Sequence, residues 1–160
     1  ERLRIDPLPE IVARHGIAYA RPSAYGISVN DGAFVGRGWH SLETDSRGYW
    51  LWSGPESLSS VLLPALGGGQ VGVDIRVRLP FGGAMVPDVL SAMLDGVPVT
   101  CNGVRGDVWS GVARLPTDDG ASRMALVLAS RLHEDPRTTP DRDVRVLGVG
   151  LVSVRVEKRS

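Results

Sequence analysis

The stretch VGVDIRVRL at residues 71–79 limits what this chain can fold into more than any other feature. Val71, Val73, Ile75, Val77 and Leu79 alternate with Gly72, Asp74, Arg76 and Arg78. A period of two puts the apolar set on one face of a strand and the charged set on the other; a helix would scatter both. The segment therefore reads as a half-buried strand with one face in water, as in antiparallel sheets. Other short runs follow the same logic. Residues 92–99 (AMLDGVPV) hold Asp95-Gly96 between two apolar runs, a strong two-residue hairpin signal. Runs at 108–115 (VWSGVARL), 123–129 (RMALVLA) and 144–156 (VRVLGVGLVSVRV) supply further strands. In the last of these Val146 and Gly148 interrupt the alternation, while Leu151, Ser153 and Arg155 alternate with Val152, Val154 and Val156.

Between the runs lie turns. The 160 residues include 20 glycines and 11 prolines, and Gly67-Gly68-Gly69, Gly82-Gly83 and PTDDG (116–120) punctuate the apolar segments. Connections this short leave no room for the crossover helices of a parallel α/β fold. The expected class is all-β, an antiparallel β-sandwich of jelly-roll-like or Ig-like form with one short N-terminal helix. That helix is expected at residues 6–16 (DPLPEIVARHG): Asp6 as N-cap, Pro7 at the first helical position, Leu8, Ile11 and Val12 on one face, and Gly16 as the stop. The chain divides into residues 1–16, a linker or short helix, and residues 17–160, a single sandwich domain. It opens on Glu1 rather than methionine, so a longer parent protein is expected.

Composition excludes several classes. Hydrophobic residues make up 42% and charged residues 22%, the balance of a globular chain. No apolar run approaches the ~18 residues of a membrane span, and no charged-then-apolar segment resembles a secretion signal. Cys101 is the single cysteine, so neither an intrachain disulfide nor a cysteine-based zinc site can form. A cytoplasmic location is the corresponding expectation. Eighteen basic residues face eighteen acidic ones, which argues against nucleic acid as a partner, and no membrane partner is expected. There is no nucleophile elbow, no HExxH and no phosphate-binding glycine loop. Gly67-Gly68-Gly69 leads into a strand rather than a helix N-terminus. No catalytic residue, metal or cofactor is assigned, and the chain is read as a non-enzyme.

The informative segment is GWHSLETDSRGYWLWSG, residues 38–54. It holds Trp39, Trp50 and Trp52, with His40, Glu43, Asp45 and Tyr49 among them. On a strand Trp50 and Trp52 share a face, and Tyr49 and Leu51 share the other. Same-face aromatics beside carboxylates suit a sugar: rings stack on pyranose CH faces while charged acceptors bind hydroxyls. The same tryptophans can instead fill a core that has only two phenylalanines; Trp39, among polar neighbours, is the one expected to be partly exposed. His40 and Glu43 would share a face only on a helix, and Gly38, Asp45, Ser46 and Gly48 argue for a loop, so a metal site is not assigned.

A second segment, DVRVLGVGLVSVRV (143–156), joins the first in a recognisable order. The pair, with the LDG hairpin at 94–96 and Trp109 ahead of Leu115-Pro116, resembles the small β-sandwich domains attached to bacterial glycosyltransferases and other surface-polysaccharide assembly proteins. The resemblance spans roughly residues 34–156 and picks out Gly38, Trp39, Glu43, Trp52, Asp143, Arg145, Leu147 and Gly148. It implies a non-catalytic, carbohydrate-binding domain whose partners are a bacterial oligosaccharide or polysaccharide and a covalently linked catalytic domain. Such domains often place an arginine just before the strand tryptophan, where this chain has Leu51. The ligand-binding set this suggests is Trp39, His40, Glu43, Trp50, Trp52, Asp143 and Arg145. Glu43, Asp143 and Arg145 can equally form an ion cluster that pins a loop to the last strand, since one guanidinium can organise a carboxylate on each side. The alternative function is a protein–protein interaction or oligomerisation domain without a sugar ligand, with a homodimer as one form.

Overall fold

The computed structural model describes residues 21–117 and 120–160. Every regular element among them except one turn is a strand. In chain order these are β1 (Ala24–Ser28), β2 (Gly36–Arg37), β3 (Glu43–Asp45), β4 (Gly48–Trp52), β5 (Leu58–Pro64), β6 (Gly69–Arg78), β7 (Leu90–Leu94), β8 (Val97–Arg105), β9 (Val108–Leu115), β10 (Arg123–Ser130) and β11 (Gly150–Lys158). A single 3₁₀ turn, Pro80–Gly82, follows β6. The helix expected at residues 6–16 lies outside the described residues.

All pairings are antiparallel and join the strands into one curled sheet in the order β2-β5-β10-β7-β8-β9-β6-β11-β4-β3. β1 also pairs with β11, lying beyond β4 along the same edge. The curl turns at β8. Its first residues, Val97–Val99, pair with β7, and Thr100–Arg105 pair with β9 across an irregularity between Cys101 and Gly103. β8 thus carries the ladder from one half of the sheet into the other. Both halves turn their apolar faces inward onto one core, in which Val61, Leu63, Leu94, Leu126 and Leu128 meet Val73, Ile75, Trp109, Val154 and Val156. The Asp95-Gly96 hairpin forms as expected: both residues have positive φ, 48° and 80°, the conformation of the tight turns that match strand twist.

The expected alternation of β6 is present: Val71, Val73, Ile75 and Val77 are buried, Asp74 and Arg78 half-buried and Arg76 exposed. The final run departs from a simple period of two. Leu151 is buried, yet so are Val154 and Val156, because the pairing with β6 shifts between Leu151 and Ser153. The extra residue at this bulge moves the apolar set to the other parity, so the alternation of Leu151 with Val154 and Val156 in sequence does not put them on opposite faces.

Candidate functional site

β4 is buried on both faces, which is how it organises the site. Leu51 points into the main core, whereas Trp50 and Trp52 point outward into a second cluster with Leu147, Phe81 and Val152. The two indoles meet edge to face, 6.1 Å between centroids at 74°, a favourable arrangement of ring quadrupoles. Trp52 lies over the next strand because Gly150, opposite it in the ladder, has no side chain. A methyl group there would sit 2.8 Å from the Trp52 ring and 2.8 Å from Arg78 Cγ. Arg78, paired to Gly150 from the other side, lays its guanidinium 3.9 Å from the Trp50 ring centroid.

This outward cluster forms the floor of a groove of about 670 Å³. The half-buried Leu79, Phe81, Met85 and Val152 line it together with the edges of Trp50 and Trp52, each only 8% exposed, and Asp45, Arg47, Arg76, Arg78 and Asp107 supply its charged surface. Arg78 Nη1 donates to Asp45 at 3.2 Å, and Arg76 Nη1 to both Asp107 oxygens at 3.0 and 3.2 Å. The backbone N–H of Arg47 bonds Asp45 and, with Arg78, holds its carboxyl below the usual range against an opposing desolvation. Phe81 reaches the cluster through a left-handed backbone, φ 59° and ψ 32°, that turns the chain straight after β6. Non-glycine residues adopt that region only when their surroundings hold them there.

Beside the groove, but not lining it, is an ion cluster. Arg145 places Nε and Nη2 on Asp143, at 3.0 and 2.7 Å, and Nη1 on Glu43 at 2.8 Å. The Arg145 guanidinium thereby depresses the Asp143 pKa, and Asp143 and then Glu43 raise that of Arg145. Glu43 stands opposite Trp50 in the β3–β4 ladder, so the cluster ties this hairpin to the segment before β11. Leu51, at the position where the resemblance implies an arginine, faces the opposite side of β4 from Glu43, and a guanidinium there would enter the main core. Just upstream, Asp135 repeats the local geometry. Its buried carboxylate accepts the backbone N–H groups of Arg137 and Asp143 and the Arg137 guanidinium.

The seven residues singled out from the sequence thus fall into three places. Trp50 and Trp52 line the groove. Glu43, Asp143 and Arg145 form the adjoining cluster. Trp39 and His40 sit on the strand-to-strand connection: Trp39 is half-buried against Phe34 and the main core, with Nε1 donating to the Ser60 carbonyl at 3.0 Å. His40 donates its backbone N–H to Trp52 O at 2.8 Å, and its Nε2 is 3.5 Å from the Val146 carbonyl. Among the described residues, no group of three or more His, Cys, Asp or Glu side chains is placed to hold a metal ion. The pattern residues Leu147 and Gly148 complete the packing: Leu147 is buried beneath the tryptophans, and Gly148 presses on Ser53 and Ser130.

Sequence reasoning missed Arg76, Arg78, Phe81 and Asp107. The first two were visible as the polar set of the 71–79 alternation. What could not be read is that β11 sits beside β6 and carries β4 on its other edge, which brings that polar set to the tryptophans. Ser53 was also missed; it is fully buried, and its Oγ accepts the Val149 N–H at 2.9 Å. No family model matches the chain, and no curated protein matches it.

Proposed function

We propose that this chain is a non-catalytic carbohydrate-binding module that holds a glycan near the catalytic domain of a longer bacterial glycosyltransferase or polysaccharide-assembly protein. The observation that carries this reading is the outer groove, where Trp50, Trp52 and Phe81 adjoin the Arg78–Asp45 and Arg76–Asp107 pairs. Sugars need that combination, an apolar floor for the CH faces of the ring and fixed polar groups for the hydroxyls. In this reading the two halves of the curled sheet act as the two layers of a sandwich. The groove then lies on the outside of one layer, open to a polymer passing along it. A shallow groove buries little of a polar ligand, so affinity per site is weak and proximity to the catalytic domain provides the effective concentration.

The test is a titration of the indole N–H signals in NMR with a panel of bacterial oligosaccharides. Saturable shifts at Trp50 and Trp52, with Trp39 and Trp109 unmoved, are expected. Four unmoved signals across the panel would overturn the reading.

A further inference from the structure

We infer that the groove selects sugars that carry a carboxylate, such as a uronic acid unit within a polysaccharide. The inference rests on the carbohydrate reading of the same groove. It comes from which hydrogen-bonding edges of the arginines are engaged. Arg76 uses Nη1 alone, on Asp107, and Arg78 uses Nη1 alone, on Asp45. Among the described residues nothing accepts a hydrogen bond from the Nε–Nη2 edge of either. That edge presents two parallel N–H donors, a match for the two oxygens of one carboxylate.

The molecule itself displays the partner this edge takes. Arg145 uses Nε and Nη2 to grip Asp143, and Arg137 uses the same pair of nitrogens to grip Asp135. In the groove the corresponding edges have no such carboxylate. Arg76 and Arg78 are also ordered in advance, the first by Asp107 and the second by Asp45 and the Trp50 ring. A ligand therefore finds them with part of their conformational entropy already lost. They stand two residues apart on β6, roughly 7 Å along the strand, a spacing suited to one sugar unit and its substituent. The lining holds three guanidiniums (Arg47, Arg76, Arg78) and two carboxylates (Asp45, Asp107), a net positive charge for an acidic ligand. A neutral sugar would satisfy these edges only with single hydroxyl contacts.

The experiment compares hexagalacturonate with its carboxyl-reduced, neutral hexamer, followed by the Trp50 and Trp52 indole signals at low and high salt. Inorganic phosphate forms a third arm. Binding of the acidic hexamer at least tenfold tighter than the neutral one, weakening with salt, is expected. Arg76→Gln should weaken the acidic hexamer about tenfold and the neutral one by a smaller factor, because only the acidic ligand loses a charge-assisted, paired hydrogen bond rather than a single hydroxyl contact. Arg76→Lys, which keeps the charge and loses the paired donors, should recover only part of the loss. Equal binding of both hexamers, unaffected by Arg76→Gln, would overturn the carboxylate preference and leave the carbohydrate reading standing. Phosphate shifting the same signals as strongly as the acidic hexamer would also overturn it, making the groove a general anion site. No shift with any sugar would overturn both.

Discussion

The cluster of Glu43, Asp143 and Arg145 and the groove around Arg76 and Arg78 are made of the same groups, set beside one another on the outer side of the sheet. They differ in how completely those groups satisfy each other. Arg145 places all three of its nitrogens on carboxylates, two on Asp143 and one on Glu43. It joins elements that are 102 positions apart in the chain. Arg76 and Arg78 each commit one nitrogen and are steadied by it. Saturation makes a clasp that holds the β3–β4 hairpin against the segment before β11; partial saturation leaves donors without a partner among the described residues, those of Arg76 at a side chain 51% exposed and those of Arg78 at one 18% exposed. Arginine content alone cannot separate these roles, but the edge engaged can. The comparison predicts that changes at the clasp act on stability and changes in the groove act on binding.

The largest effect is expected beneath the clasp. Gly148 follows Leu147 in the segment Arg145 anchors, and a methyl group there would sit 2.8 Å from Ser130 Cβ and closer still to Ser53 Oγ. Gly148→Ala should cost about 2–3 kcal/mol by overpacking, a loss of several degrees in Tm. A Tm unchanged within a degree would mean the segment yields freely, and the clasp would have little to hold.

Next comes the clasp itself. Arg145→Ala leaves Glu43 and Asp143 facing each other without their cation, and about 1–2 kcal/mol of stability should be lost, moderated by the partial exposure of all three side chains. Glu43→Gln in the Arg145→Ala background should then cost almost nothing, and denaturant melts of the four variants measure that coupling. If Arg145→Ala abolishes sugar shifts at Trp50 while leaving the melting curve unmoved, the clasp and groove have been assigned the wrong way round.

Asp135 sharpens the comparison through pH. The Arg137 guanidinium, aided by two backbone N–H groups and opposed by desolvation, holds its carboxyl far below the usual range. Between about pH 5 and pH 2 the unfolded chain therefore takes up a proton that the folded chain refuses. The unfolded state binds more protons there, so stability falls with the pH across this window. Asp143, depressed chiefly by the Arg145 side chain, acts with the same sign. Asp135→Asn should flatten the acid limb of a Tm-against-pH curve. An unaltered slope would show that the carboxylate is no better held folded than unfolded.

How far the sequence foretold these two regions depends on the distance over which each is built. Strands β6, β9 and β10 and the Asp95-Gly96 turn were legible because alternation and turn chemistry are local. The clasp was legible as one of two readings: Asp143 and Arg145 are two residues apart, and the geometry of that short loop is repeated at Asp135 and Arg137. The groove was half legible. Trp50 and Trp52 share a face on any strand, but Arg78 and Phe81 reach them only through the β4–β11–β6 order, which no period encodes. The bulge after Leu151 was hidden for a related reason, since a single extra residue leaves each flanking stretch looking regular. Leu51 shows the converse: its position alone, between two outward tryptophans, determines that it faces the core.

The smallest expected effect on stability carries most weight for function. Arg76 is half-exposed, with side-chain accessibility of 51%, and its partner Asp107 is at 53%, so their ion pair is screened by water. Its ladder neighbours are Val108 and Ser153, and among the described residues its charge pairs with Asp107 at the surface. Arg76→Gln should therefore change the unfolding free energy by less than about 0.5 kcal/mol, the ordinary range for a surface substitution. A clear destabilisation would place Arg76 with Arg145 as a structural cation, and its open Nε–Nη2 edge would be incidental. A melting curve that superimposes on the wild type, together with weakened binding of the acidic hexamer, would separate the two kinds of arginine, because a group held in place for a partner outside the chain contributes little to the fold.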